Sequence, residues 1–300
     1  MSSTSASSGE PKAGAVGRAR LSALLRQHGI RPSRALGQNF LADPNTARRL
    51  VRLSGVGAGD RVVEIGAGLG SLTLPLAAAG ARVTAVEVDR RLAAALREVT
   101  SGYNVEVVEA DALSVDWGAL LGGGRWVLVA NLPYNIATPL VVELLEGEPD
   151  LQRMQVMVQR EVAERLAAGP GSSSYGAVSV KVAYFAEARV VGHVPPTVFI
   201  PQPAVESALV SLVRRPAPAV PASVASYAEI VSLVEAGFAQ RRKMLRRALA
   251  GLEPTLDAAA WAAAGVRPED RAEDLDVSSW GRLAAARRAA AGRATPQGAR

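Results

Sequence analysis

The sequence predicts an α/β fold, a parallel sheet of seven strands built from repeated β-α units, followed by a small all-α domain. Three observations predict it. From about residue 60, short β-branched runs alternate with longer alanine- and leucine-rich stretches, the pattern of parallel strands joined by helices. Arg215-Pro216-Ala217-Pro218-Ala219-Val220-Pro221 interrupts that pattern with three prolines and no periodicity. Beyond it no convincing strand remains, while Tyr227, Ile230, Val231, Val234 and Phe238 recur at helical spacing.

Taken in order, residues 1–17 are rich in Ser, Ala and Gly and read as a disordered tail, with no apolar stretch long enough for a signal core or a membrane span. Strands are expected at Arg61–Ile65, Arg82–Glu87, Val105–Glu109, Trp126–Ala130, Gln155–Val158, Ala188–His193 and Ala208–Val213. Helices are expected at Ser71–Ala79, Asp89–Val99, Thr138–Leu145, Glu161–Ala168 and Ala177–Phe185. These elements place one α/β domain over residues 18–215 and a linker over 216–221. A helical domain follows over 222–292, then a frayed tail over 293–300. In the helical domain, Leu245 and Leu249 continue the Tyr227 helix after Gly237, and further helices are expected at Thr255–Ala264 and Ser278–Ala290.

The bulk composition excludes several chemistries. Cysteine is absent, so there are no disulfides, thiolate metal sites or cysteine nucleophiles. Only His28 and His193 are present, which rules out a histidine-rich metal site, and His193 reads as structural. No metal is expected. A hydrophobic content of 49% supports a real core in a soluble cytoplasmic protein. The net charge of +6 and pI near 10.1 favour a polyanionic partner. Without heptads or a long exposed apolar stripe, a monomer is expected.

The chemistry-bearing residues cluster at the ends of the expected strands. Glu64-Ile65-Gly66-Ala67-Gly68-Leu69-Gly70 joins the first strand to its helix, where glycines let a ligand approach the backbone. Its G-x-G-x-G spacing, with an acid before it, departs from the dinucleotide fingerprint and tilts the ligand away from NAD. Glu87 ends the second strand, where a carboxylate can accept from both hydroxyls of a ribose. Asp111, after the third, is placed to accept from an adenine amino group. Together they make an adenosine pocket at the carboxyl edge of the sheet.

Asn131-Leu132-Pro133-Tyr134 follows the fourth strand. Such a turn suits a flat, amine-bearing base. The Asn131 carbonyl accepts from an NH2 group, proline leaves main-chain carbonyls free to face outward, and the Tyr134 ring offers a stacking face.

With these motifs in this order, the chain resembles the class I S-adenosylmethionine-dependent methyltransferases, in the branch acting on exocyclic amines. Three further segments carry a narrower likeness: Gly37-Gln38-Asn39-Phe40-Leu41; Val194-Pro195-Pro196 with Phe199-Ile200-Pro201-Gln202-Pro203; and Gln240-Arg241-Arg242-Lys243. They resemble the KsgA (RsmA) family of small-subunit rRNA adenine dimethyltransferases, over roughly Leu36 to Leu283. The resemblance implies a Rossmann-like, seven-stranded, doubly wound sheet with S-adenosyl-L-methionine as cofactor. It implies that Asn39 and Leu41 close over the cofactor and that Gly66 lies against its methionine part. Glu87 would hold the ribose, Asp111 the adenine ring, and Asn131 would stand between cofactor and substrate. Asn131, Pro133, Tyr134 and Phe199 form the implied catalytic set, with Tyr134 and Phe199 sandwiching the target adenine.

The implied substrate is a pair of adjacent adenosines in a hairpin loop near the 3′ end of the small-subunit rRNA, dimethylated in the assembling small ribosomal subunit. Arg241, Arg242, Lys243, Arg246 and Arg247 would then face RNA phosphates. Ala204 departs from a lysine common in relatives and Arg247 from an asparagine, which bears on the RNA contacts and not on the chemistry. Three other readings stand beside this one: an erythromycin-resistance-type dimethyltransferase of large-subunit rRNA, a non-catalytic assembly factor, and an amine methyltransferase acting on DNA or protein.

Overall fold

The computed structural model describes residues 16–33 and 37–294, with side chains described as far as Gly292. The expected tails therefore lie largely outside the described residues. Val16 is an exception: placed in the expected tail, it is buried in one cluster with Leu21 and Leu25. Helix α1 (Arg18–Gln27) follows it, then the short strand β1 (Phe40–Leu41) and helix α2 (Pro44–Ser54). The Asp43 side chain caps α2 by accepting from the N–H groups of Asn45 and Thr46, and Gly55 ends the helix in the left-handed region at φ 64°.

The central sheet starts with β2 (Arg61–Ile65), α3 (Thr73–Ala78), β3 (Arg82–Glu87), α4 (Arg90–Val99) and β4 (Val105–Glu109). It continues through α5 (Trp117–Leu121), β5 (Trp126–Asn131), α6 (Ala137–Gly147), β6 (Leu151–Gln159), α7 (Arg160–Ala167), α8 (Ala177–Phe185) and β7 (Ala186–Val194). A two-residue strand, β8 (Phe199–Ile200), precedes β9 (Ser207–Arg214). The seven strands lie in the order β4-β3-β2-β5-β6-β9-β7. The ladders among β4, β3, β2, β5 and β6 are all parallel, within a sheet that is mixed as a whole. From β2 the chain winds outward through β3 and β4, then returns to β5 on the other side. That reversal opens a crevice between the carboxyl ends of β2 and β5.

Valines fill this sheet because both faces are covered. Val62, Val83, Val127 and Val129 share one buried cluster with Leu50, Leu76 and Leu96 from α2, α3 and α4. Each fully buried side chain of that size contributes about 1.5–3 kcal/mol, so the strand ends beyond this core are held in fixed positions.

The chain packs as two compact units. One comprises the described residues of Met1–Leu140 with Glu148–Arg160 and Val191–Ser211; the other comprises Val141–Gly147, Glu161–Val190 and the described residues of Leu212–Arg300. The second unit contains α9 (Tyr227–Ala239), α10 (Leu245–Ala248), α11 (Ala258–Ala264) and α12 (Val277–Ala294). Its core joins Tyr175, Val180 and Tyr184 to Ile230, Trp261 and Trp280. Helix α8 thus packs with the C-terminal helices, and the division falls earlier in the chain than the prolines suggest.

Residues 216–221 carry no helix or strand, yet they are anchored. The Ala219 N–H donates to the Tyr184 carbonyl, and Val220 belongs to the buried cluster of the second unit. The expected continuation of the Tyr227 helix past Gly237 fails. Helix α9 stops at Ala239, and the chain turns through Gln240–Lys243 before Met244 bridges Arg271. Apolar spacing alone does not register this break, because Leu245 and Leu249 stay buried from the separate short helix.

Candidate active site

A cavity with about 880 Å³ of free space, mouth included, opens at the carboxyl ends of β2 and β5. The loop after β2 forms one wall. Gly66 and Gly68 adopt φ of 70° and 58°; a Cβ at Gly66 would meet the Pro133 ring at 3.3 Å, and one at Gly68 the Phe40 ring at 3.1 Å. Both the conformation and the space therefore call for glycine.

Three carboxyl groups line this wall: Glu64, Glu87 and Asp111. The Gly68 N–H donates to Glu87 Oε2 at 2.8 Å and the Asp89 N–H to Oε1 at 3.0 Å. Burial pushes the Glu87 carboxyl above its ordinary value, and those hydrogen bonds hold it back. Each oxygen keeps a second lone pair for a ligand. Asp111 is more exposed, and its Oδ1 accepts from the Leu113 N–H at 3.0 Å. Asp89 caps α4. No lysine, arginine or histidine is among the described residues that line the cavity.

The turn after β5 forms the opposite wall. Asn131 Nδ2 donates to the Asn39 carbonyl at 3.1 Å, which fixes the amide so that Oδ1 is the atom left for a ligand. The Ile136 and Ala137 N–H groups both donate to the Pro133 carbonyl, at 3.2 and 3.1 Å. Among the described residues the Leu132 carbonyl accepts no hydrogen bond, while the Leu132 N–H donates to the Met157 carbonyl. The Tyr134 hydroxyl shares a 2.8 Å hydrogen bond with Ser207 Oγ, which holds the half-buried ring. Burial raises the Tyr134 pKa, so the phenol stays neutral.

The structure brings together Asn39, Leu41, Gly66, Glu87, Asp111, Asn131, Pro133 and Tyr134 around this single cavity. Phe199 stands apart. Its side chain is 1% exposed, sits in the core cluster with Leu41 and Val194, and is not among the lining residues. Strand β8, which carries Phe199, pairs antiparallel with β1: Phe40 with Ile200, and Leu41 with Phe199. The two distant segments thus form one ladder at the rim. Sequence reasoning missed Ser207 and gave Glu64 no role beyond steering the ligand class. Ser207 lies four residues past Pro203, and only the fold brings it to Tyr134.

The ribosomal RNA adenine dimethylase family model matches residues 30–287. The chain belongs to that family. Among its relatives, the ribosomal RNA small subunit methyltransferase A of Kineococcus radiotolerans is 50% identical over 265 residues, covering 86% of this chain and 87% of that protein. The protein of the same name in Thermobifida fusca is 48% identical over 269 residues, covering 87% and 92%. Among solved structures, the 23S rRNA methyltransferase ErmE matches with TM-score 0.66 at 29% identity, over 83% of this chain and all of that one. A dimethyladenosine transferase from Plasmodium falciparum matches with TM-score 0.67 at 25% identity, over 81% and 95%.

The dimethylase is an S-adenosylmethionine-dependent enzyme acting on rRNA. Its cavity fits that cofactor on charge alone. The cofactor carries a sulfonium and an ammonium group against one carboxylate, a net positive charge, and the described residues of the lining offer three carboxyl groups and no cation.

The cationic segment lies in the second unit, and its five cations are not equivalent. Arg241 is tied down, its Nε donating to Glu273 at 2.8 Å and its NH2 to the Ser173 carbonyl at 2.7 Å. Arg246 pairs with Glu269 at 3.0 Å. Arg242, Lys243 and Arg247 are exposed, with no ion pair among the described residues. The first two line a shallow cleft with Phe238 and Gln240. Among the described residues no helix is long and apolar enough to cross a membrane.

Proposed function

We propose that the enzyme dimethylates two adjacent adenosines in the hairpin loop near the 3′ end of 16S rRNA, in the small ribosomal subunit during its assembly. The observation that carries this reading is the near-full-length identity of 50% and 48% to proteins named for the small subunit. The likeness to ErmE favours a large-subunit substrate, but at a lower identity of 29%. In our reading the enzyme acts in the cytoplasm as a monomer.

When bound, S-adenosylmethionine supplies a methyl group activated on a sulfonium. In our reading Glu87 and Asp111 hold its ribose and adenine, and Gly66 leaves room for its methionine part. Asn39 and Leu41 close over it, on the strand that pairs with β8. The target adenine stacks on Tyr134, whose ring Ser207 holds in place. The sandwich implied for Phe199 requires that ring to leave its packing beside Leu41, so Tyr134 carries the stacking here. Stacking of about 1–3 kcal/mol per base offsets the few kcal/mol of unstacking a flipped adenine.

The adenine amine is a weak nucleophile because its lone pair is delocalised into the ring. Two acceptors correct this. Asn131 Oδ1 is oriented by the Asn39 carbonyl, and the Leu132 carbonyl is the main-chain acceptor the turn leaves open. Hydrogen bonds to both would turn the nitrogen lone pair towards the donor group and stabilise the positive charge that grows on the nitrogen, which then gives up one of its hydrogens as a proton to solvent. A monomethylated amine keeps one hydrogen for one of these acceptors, so the second transfer uses the same geometry. Exposed Arg242, Lys243 and Arg247 meet phosphates of the folded RNA.

The test is tritiated methyl transfer to small subunits lacking the modification, beside protein-free small-subunit and large-subunit rRNA, with mass spectrometry of the digested nucleosides. Dimethyladenosine confined to the small subunit supports the assignment. Product on large-subunit rRNA points to the resistance-type enzyme, and no product to a non-catalytic factor.

A further inference from the structure

The three carboxyl groups of the cavity are supported unequally. Glu87 accepts two backbone hydrogen bonds, and Asp111 accepts one and is exposed. Glu64 has no comparable support at 2% exposure. Its Oε2 makes no hydrogen bond of ordinary geometry, and neither does the hydroxyl of fully buried Thr73 beside it. A carboxylate in that position is nearly cut off from water, has only the Thr73 hydroxyl beside it as a donor, and feels the charge of Glu87.

We propose that Glu64 holds a proton while the cavity is empty and releases it to solvent when the cationic methyl donor binds. It thereby acts as a specificity residue favouring the sulfonium substrate over the neutral thioether product. The inference rests on reading this cavity as the methyl-donor site. The charges balance. The donor enters with carboxylate, ammonium and sulfonium, a net charge of +1, and Glu64 changes from –COOH to –COO⁻ as one proton leaves to buffer. After transfer the sulfur is neutral, the ligand carries no net charge, and Glu64 takes a proton back from buffer in the product complex.

The titratable groups that share the cavity wall with Glu64 agree with this assignment. Strand β3 contributes Glu87, the one of these that acts on Glu64 directly; the loop after β4 contributes Asp111; the turn after β5 contributes the neutral Tyr134. The Gly37–Leu41 segment adds no titratable side chain, and α3 offers only the Thr73 hydroxyl. Burial pushes the Glu64 carboxyl up to about 8; the Thr73 hydroxyl pulls against this and the Glu87 charge adds to it. With no cation among the described residues of the lining, an incoming positive ligand is the partner that makes ionisation of Glu64 favourable.

The experiment is isothermal titration calorimetry of the whole protein with S-adenosylmethionine and, separately, S-adenosylhomocysteine. It is run near about pH 6.5, below the range in which the ligand's own amine titrates, in two buffers of different ionisation enthalpy. Close to one proton released per S-adenosylmethionine, and clearly fewer per S-adenosylhomocysteine, is expected. In Glu64→Gln the difference between the two ligands disappears and the affinity ratio of substrate to product falls several-fold. Equal proton counts for the two ligands, or counts unchanged in Glu64→Gln, overturn the proposal.

Should that variant not fold, the wild-type protein alone decides. One linked proton tightens S-adenosylmethionine binding about tenfold per pH unit between about pH 6 and 7, and the slope for S-adenosylhomocysteine is shallower. Parallel slopes overturn the inference. If neither ligand binds, the reading of the cavity fails with it. If both bind without a difference in protons, only the inference about Glu64 fails.

Discussion

The β2–β5 cavity and the Gln240–Arg247 segment are opposites in charge and burial. Among its described residues the cavity gathers three carboxyl groups with no cation, and it fixes its polar atoms through backbone hydrogen bonds. The segment gathers five cations, keeps two of them in ion pairs, and leaves Arg242, Lys243 and Arg247 exposed. The contrast teaches that the two binding tasks obey different rules. A small cation is selected by desolvated, oriented acceptors, whereas a polyanion needs only mobile charge at the surface.

The largest separation of the two tasks comes from Asn131→Ala. Its methyl transfer rate falls by at least about a hundredfold, as expected when an oriented transition-state group is lost. Cofactor and RNA affinities, measured by titration, stay within a few-fold of wild type. Next, Glu87→Ala leaves the Gly68 and Asp89 N–H groups without their acceptor. It weakens cofactor binding by about 10- to 100-fold, the cost of removing hydrogen bonds to a charged group, and leaves RNA affinity unchanged. The converse change, joint replacement of Arg242, Lys243 and Arg247 by alanine, leaves cofactor affinity alone. It weakens RNA binding by about tenfold or more and flattens the salt dependence, by about 0.7–0.9 in log–log slope per lost phosphate contact.

Much of this division was legible in the chain itself. The strands Arg61–Ile65, Arg82–Glu87 and Val105–Glu109 have the expected bounds, because short valine-rich runs between glycines and charges have little choice of structure. Glu87, Asp111 and Asn131 follow from the same logic, since the carboxyl ends of parallel strands all open onto one edge. Pairings between distant segments were not legible. The β1–β8 ladder joins residues about 160 positions apart through two residues on each side, too few to show periodicity. It also buries Phe199, an aromatic that reads as a loop residue when its partner Leu41 is out of view. The end of α9 at Ala239 was hidden because Leu245 and Leu249 are buried whether or not the helix continues. Helix α2 announced itself with Asp43-Pro44 as cap and first turn, and the reading passed over that signal.

Two smaller effects probe the cavity wall by wall. The folded Glu64 carboxyl holds its proton up to about 8, while the unfolded chain releases it near the ordinary 4.5. The empty protein therefore loses stability as pH rises through that window, because the native state binds the extra proton. Denaturant melts of ligand-free protein at about pH 5 and pH 8 should show this loss, and Glu64→Gln should reduce it. The smallest effect is that of Tyr134→Phe, which removes the hydrogen bond to Ser207 and keeps the ring. A loss of about 1 kcal/mol predicts a few-fold rise in KM for RNA with kcat nearly unchanged.

The most direct test of the site is a crystal structure with S-adenosylhomocysteine and N6-methyladenosine bound together. The account predicts the adenine stacked on Tyr134 and its amine hydrogen-bonded to Asn131 Oδ1 or the Leu132 carbonyl, with the nitrogen facing the cofactor sulfur. An amine bonded instead to the Pro133 carbonyl or to Asp111, or an Asn131 amide turned away from the Asn39 carbonyl, would contradict it.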